Sequence, residues 1–196
     1  MTVVTWDDPK SIAVNQHMEN YINKDFDAMK DLFTDDFQVV VSGQDEPYDL
    51  EGVMEAINLH HMLYSNIYTT IPGAEQEEEK GVISQTISYP TGETWSQVWF
   101  NWHAIGNYTG DTVVNMVHLS YKWEGDKIIE EYHFSDGAAF NKEVAAYNNS
   151  LEEKKIIEAA KFCKNDLTSE IVYEFPELQG IMGGNCLLYT SPSPRD

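Results

Sequence analysis

The chain has 196 residues and a formal net charge of -21, with Arg195 its single arginine and Cys163 and Cys186 its two cysteines. That balance argues against a nucleic-acid partner, which needs Lys and Arg to displace counterions, and against an anionic membrane surface. Two late cysteines build no disulfide framework, and no apolar run reaches membrane-spanning length.

The opening "MTVVTWDDPKSI" has no basic region followed by an apolar run, so no secretory signal is expected and the chain reads as cytoplasmic. Asp7-Asp8-Pro9 is a helix start, with an acidic cap and proline just inside. Val14, Met18, Tyr21 and Ile22 follow on one helical face, and Phe26, Met29, Leu32 and Phe33 continue at similar spacing. "FQVVVSG" is the first expected strand. Between Asp49 and Ile67 the residues Val53, Ile57, His60, Tyr64 and Ile67 step by three or four, which predicts a long helix.

"GAEQEEEKG" is an acidic, solvated loop. After it, 82–89, 94–108, 112–123 and 127–135 are rich in Val, Ile, Thr and aromatics and read as strands, with "YTGD" and "EGDK" as turns. Helices followed by an antiparallel meander predict an α+β domain, helices packed on one face of a curved sheet. From Leu151 the character changes to helix, break, helix and a Gly-rich stop.

Hairpin geometry sorts the strand residues by face. With Thr109-Gly110 as a two-residue loop, His118 stands opposite Asn101, Met116 opposite His103 and Ser120 opposite Trp99. Those six share one face; Val98, Phe100, Trp102, Val117, Leu119 and Tyr121 share the other, which is apolar throughout. The next turn allows two registers. Simple pairing puts His133 opposite His118, and a one-residue bulge instead brings Tyr132 and Asp136 to that face. Hydrophobicity assigns the apolar face to the interior.

On "NKDFDAMKDLFTDDFQVVVSG", "WSQVWFNWHAIGNYTG" and "YKWEGDKIIEEYHFSD", residues 9–147 resemble the nuclear transport factor 2-like superfamily in its SnoaL-like branch. The resemblance implies a cone in which helices pack on a strongly bent, mostly antiparallel sheet around an apolar cavity, with a homodimer formed through the outer sheet face. It divides the chain into a domain over 1–148, a non-native helical appendage over 149–185 and a tail over 186–196. The appendage, through "KNDLTSEIVYEFPELQGIMG", resembles a fragment of the glycyl-tRNA synthetase β subunit; it is too short to confer aminoacylation. "CLLYTSPSPRD" resembles a translated transposase-type sequencing adapter and is expected to be a disordered scar of a chimeric sequence.

The same resemblance points the polar face inward, against the hydrophobicity reading. His118 matches the protonated aspartic acid of the oxyanion hole in ketosteroid isomerases of this fold, and His17 matches the tyrosine that completes it. The isomerase base falls at Val41, which cannot abstract a proton. The Asp-Arg-Asp set of limonene-epoxide hydrolases cannot be built from a body without arginine. SnoaL-type cyclases use an acidic residue late in the sheet, for which Asp136 is the nearest match. The catalytic candidates are therefore His118, Asp136 and His17. The ligand-binding candidates are His60, Tyr64, Trp99, Asn101, His103, Met116 and His133. Each has a structural alternative: His60 as a hydrogen-bonded core residue, His118 with Asn101 as a buried polar pair, Asp136 as a helix cap.

No His-x-His or His-x-x-x-His spacing supports a metal, and adjacent His60 and His61 point to different sides of a helix, so neither metal nor cofactor is expected. Two functions follow. One is acid/base catalysis of cyclase or isomerase type on a polyketide- or steroid-like carbonyl compound. The other is a non-catalytic ligand-binding or dimerisation module. Both expect a small apolar ligand.

Overall fold

The computed structural model describes residues 1–43, 46–73 and 79–163. The chain divides into two compact units, Met1–Val144 and Ala145–Asp196. In chain order the elements are β1 (Val3–Thr5), α1 (Pro9–Asn23), α2 (Phe26–Lys30), β2 (Phe33–Val41), β3 (Tyr48–Asp49) and α3 (Leu50–Leu63). They continue with β4 (Tyr64–Thr70), β5 (Ile83–Ser88), β6 (Thr94–Gly106), β7 (Thr112–Glu124), β8 (Lys127–Phe134) and α4 (Ala138–Cys163). No helix among the described residues is long and apolar enough to cross a membrane.

Asp8 starts α1. Its carboxylate accepts from the backbone N–H of Lys10 and Ser11 and from the Ser11 and Thr5 hydroxyls. Burial pushes its pKa up, but these donors outweigh burial and hold it at about 2. Pro9 occupies the first helical position, and Lys24, at φ 62°, ends the helix in a left-handed cap. Asp49 caps α3 through the Gly52 N–H.

The eight strands form one sheet in the order β1-β5-β6-β7-β8-β2-β3, with β4 branching off β6. Every pair is antiparallel except β2 with β8. That parallel pair sets Val41 beside His133 and lets β2 close one side of the sheet. The core gathers Val14 and Met18 of α1, Phe33, Phe37 and Val39 of β2, and Val98, Phe100, Val117, Leu119 and Tyr121 of the meander. This is an α+β cone with helices on the concave side of the sheet.

Two expectations change and an open choice is decided. The helix expected to reach Ile67 stops at Leu63, because Tyr64 takes an extended conformation and begins β4 against β6. The β6–β7 connection is longer than two residues: Ile105 pairs with Thr112, leaving 107–111 as the loop. His118 therefore stands opposite Trp99, Asn101 opposite Met116, and His103 opposite Val114. A shift by two keeps every side chain on its expected face. Of the two registers allowed for β7 and β8 the bulged one is present: the pairing shifts by one between Lys122 and Trp123, so His133 lies opposite Leu119 and Tyr132 opposite Ser120.

Glu143 explains the long loop. Its buried carboxylate accepts from the Tyr108 N–H at 2.6 Å, the Thr109 N–H at 3.2 Å and the Thr109 hydroxyl at 2.6 Å. Those bonds fix the strand tip in a shape that a tight turn could not supply.

Candidate functional site

A cavity of about 450 Å³ lies inside the first unit. Its walls are α1, α2, α3, β2 with Ser42 and Gly43, Tyr48 of β3, Tyr64 of β4, the inward face of β6, β7 and β8, and residues 135–137 and 139–141. Most of the lining is apolar: Met18, Met29, Phe33, Val39, Val41, Val53, Ile57, Phe100, Val117 and Leu119. The apolar sheet face is the interior, as hydrophobicity indicates. The inward placement of the polar face is thereby overturned.

Of the catalytic candidates, His17 and Asp136 line the cavity and His118 does not. His118 is on the outer face of β7, stacked between Trp99 at 4.9 Å and Phe134 at 5.6 Å. Its Nε2 meets the Gln97 side-chain oxygen at 2.8 Å. Trp99, Asn101, His103 and Met116 share that outer side. His103 stacks on Tyr68 and meets the Thr70 hydroxyl at 2.9 Å, while Met116 is 69% exposed. These five residues belong to the outer surface because alternate residues of a strand face opposite ways.

Asp136 is at the cavity mouth, and its carboxylate caps α4 through the Ala138 N–H at 2.9 Å. Its backbone exchanges two hydrogen bonds with the Asn115 amide.

His60, Tyr64 and His133 join His17 on the cavity wall. His17 is 5% exposed, and its Nδ1 has no hydrogen-bond partner. Burial alone pushes its pKa down to about 4, so the ring is neutral at pH 7. His60 is also pushed down to about 4, by burial first and then by His133 and His61. The Tyr64 hydroxyl donates to the Ala139 carbonyl at 3.2 Å, and burial with the Glu143 charge raises its pKa to about 12.

Several wall residues fall outside the expected set. The Tyr21 hydroxyl accepts from Trp102 Nε1 at 3.1 Å and lies 3.5 Å from His60 Nδ1. Burial raises its pKa, so it stays protonated. Glu131, Ser135, Asn115 and Tyr121 also line the space. The signal for Glu131 and Ser135 was present in "EEYHFS": both alternate with His133, and only the register shows which face they take. Among the described residues no group of three or more His, Cys, Asp or Glu could hold a metal ion.

Two comparisons bear on the C-terminal part. Residues 136–192 match the glycyl-tRNA synthetase beta subunit family. The glycine–tRNA ligase beta subunit of Rickettsia bellii is 69% identical over 32 residues, 16% of this chain and 5% of that protein. That of Thermotoga petrophila is 63% identical over 30 residues, 15% of this chain and 4% of that protein. The matched stretch thus spans a small fraction of these relatives' length. Residues 164–196, with the adapter-like tail, lie outside the described residues.

Solved structures match the body. PrhC from Penicillium brasilianum aligns with TM-score 0.52 and 9% identity over 72% of this chain and 89% of its own. A SnoaL-like polyketide cyclase from Shewanella denitrificans aligns with TM-score 0.50 and 9% identity over 71% of this chain and 99% of its own. A second, from Shewanella putrefaciens, aligns with TM-score 0.50 and 11% identity over 71% and 88%. The cone around this cavity is therefore the fold of the SnoaL-like, nuclear transport factor 2-like proteins, and the chain's C-terminal part carries a short segment similar to the glycyl-tRNA synthetase β subunit.

Proposed function

We propose that the cavity binds a small apolar carbonyl compound, held by shape along its apolar walls and by one polar anchor, the Nδ1 of His17. The observation that carries this reading is the unpartnered Nδ1 itself, on a ring that lines the cavity beside Met18, Phe33 and Val39. A buried polar atom without a partner costs about 1–3 kcal/mol, which a ligand oxygen would recover on a small turn of the ring that presents Nδ1 to the cavity. In the Nδ1–H tautomer the ring donates to a carbonyl oxygen, and at a pKa near 4 it does so without charge.

The finer form of this reading is cyclase- or isomerase-like acid/base chemistry, with His133 as the group that moves the proton. Val41, at the isomerase base position, is the register partner of His133 on the neighbouring strand. Asp136 is a weaker base candidate because its carboxylate caps α4. The non-catalytic alternative is favoured by Val41 alone. Function is assigned here to residues 1–148, with 149–185 as a chimeric fragment and 186–196 as adapter-derived, and no aminoacylation is assigned to the chain.

Paired titrations of the full chain with 1-tetralone and tetralin test the anchor. The ketone is expected to bind roughly tenfold tighter than the hydrocarbon, and His17→Phe is expected to erase that preference. Equal affinities in the parent protein reject the reading.

The outer sheet face is assigned to a second copy of this chain. Val114, Met116 and Phe134 are 60%, 69% and 46% exposed on that one side, beside the Trp99–His118 stack. Sedimentation velocity is expected to give a dimer for the parent and a monomer for Met116→Lys; a monomeric parent removes the assignment.

A further inference from the structure

Glu131, His133 and Ser135 occupy alternate positions on β8 and its exit, so all three face the cavity. Glu131 Oε1 lies 3.3 Å from His133 Nδ1, and His133 Nε2 lies 3.1 Å from the Ser135 hydroxyl. A carboxylate oxygen accepts, so the contact with Glu131 selects the tautomer that carries its proton on Nδ1. The lone pair is then on Nε2, and the Ser135 hydroxyl is the donor to it. This is the order of an activated nucleophile, its base and the group that orients the base.

The surroundings suit that order. Val41, beside His133 in the parallel pair, brings no charge to compete for the ring. His60, held near 4 by burial, stays neutral and does not oppose a positive charge forming on His133. Glu131 is 7% exposed, so water screens its bond to the ring poorly.

We propose that Ser135 is a nucleophile, His133 its general base and Glu131 the positioning residue, and that the cavity takes small apolar esters or lactones. This rests on the reading of the cavity as a carbonyl-ligand site and narrows it to acyl compounds. Ser135 Oγ attacks the acyl carbon, forming the Oγ–C bond while its proton passes to His133 Nε2. Collapse of the tetrahedral intermediate breaks the bond to the leaving alkoxide, which takes that proton. Water repeats the sequence and releases the carboxylic acid and free Ser135. In the first turn of α4 the Ala138 N–H is taken by Asp136, while Ala139 and Phe140, both on the cavity wall, have no intrahelical partner for theirs. Those donors are suited to the developing oxyanion.

The test is labelling of the full chain with an alkyl fluorophosphonate, mapped by peptide mass. The expected result is one phosphonyl adduct on the Ser135 peptide, formed with loss of fluoride. Ser135→Ala abolishes it and His133→Ala slows it at least about 100-fold. Glu131→Ala slows it and Glu131→Gln, which still accepts from Nδ1, restores most of the rate. Ser135→Cys keeps the side-chain size and is expected to react with iodoacetamide at least tenfold faster than a free thiol, a second readout should Ser135→Ala misfold. No Ser135 adduct in the parent, or an unchanged rate in His133→Ala, overturns the proposal. Tetralone binding in the same preparation separates the two readings. Binding without an adduct removes the nucleophile alone, and the loss of both removes the ligand site with it.

Discussion

Gly106→Ala is expected to destabilise the protein by about 3 kcal/mol, the upper end for forced overpacking. A Cβ at this position would lie 2.3 Å from Glu143 Oε2 and 2.5 Å from Thr109 Oγ1. What requires glycine here is space, since the backbone is not in the left-handed region. The methyl expels either the loop or the carboxylate. Glu143 is 1% exposed and accepts three hydrogen bonds from Tyr108 and Thr109, so displacing it leaves those donors without their partner. Glu143→Ala alone is expected to cost a similar amount, and the double variant much less than the sum, because both changes break one contact set. Urea unfolding midpoints measure all three. A Gly106→Ala cost under about 0.5 kcal/mol, a typical neutral surface change, would mean the loop and Glu143 are not coupled.

That contact set also accounts for the one register that the sequence misplaced. A Thr-Gly pair between apolar runs reads as a two-residue hairpin, and only a residue 34 or 35 positions later, Glu143, makes the longer loop stable. The sorting into faces survived because the shift is by two, and alternation carries no memory of an even slip. The inward direction was also legible: Phe100, Trp102, Val117, Leu119 and Tyr121 are the apolar face and line the cavity. The alignment-like match of His118 to an isomerase residue pointed the other way. It failed because it weighed one polar residue over the hydrophobicity of a whole face.

Helix α3 shows a different limit. Tyr64 and Ile67 continue its stripe, yet Tyr64 lies at φ −127° and ψ 149°, and Asn66, at φ 52°, takes up the irregularity between Ser65 and Tyr68 where β4 meets β6. Pairing with a distant strand overrode a local pattern. The same holds for the site. Alternation in "EEYHFS" is local, but the parallel pairing of β8 with β2, and with it the place of His133 beside Val41, joins segments about 90 residues apart and leaves no local trace. His17 was legible only through the family resemblance; the absence of a partner for its Nδ1 was not legible at all.

Acid is expected to weaken the protein well above the carboxylate range, and His17 is the main reason. Its folded pKa is about 4 against an ordinary value of 6.5. Between those values the unfolded chain binds a proton that the folded chain refuses, so stability rises with pH across the interval and falls as pH drops through it. From pH 7.5 to 5.0 this one ring removes about 2 kcal/mol. His60, lowered in the same direction, adds to the loss. Asp8 has the same sign but another window: held at about 2, it contributes stability above its unfolded value and loses it only below about pH 4, outside this interval. His17→Phe keeps a ring against Phe33 at 5.1 Å and Tyr121 at 6.1 Å and removes the titration. Urea unfolding at both pH values is expected to show the variant gaining about 2 kcal/mol on the parent at pH 5.0 relative to pH 7.5. A difference independent of pH would mean that the ring finds a partner for its proton, and the orphaned Nδ1 would no longer serve as the anchor. The same experiment with 1-tetralone at tenfold its dissociation constant is expected to stabilise the parent by about 1.4 kcal/mol at pH 7.5 and the variant by less, since a ligand stabilises only the state that binds it.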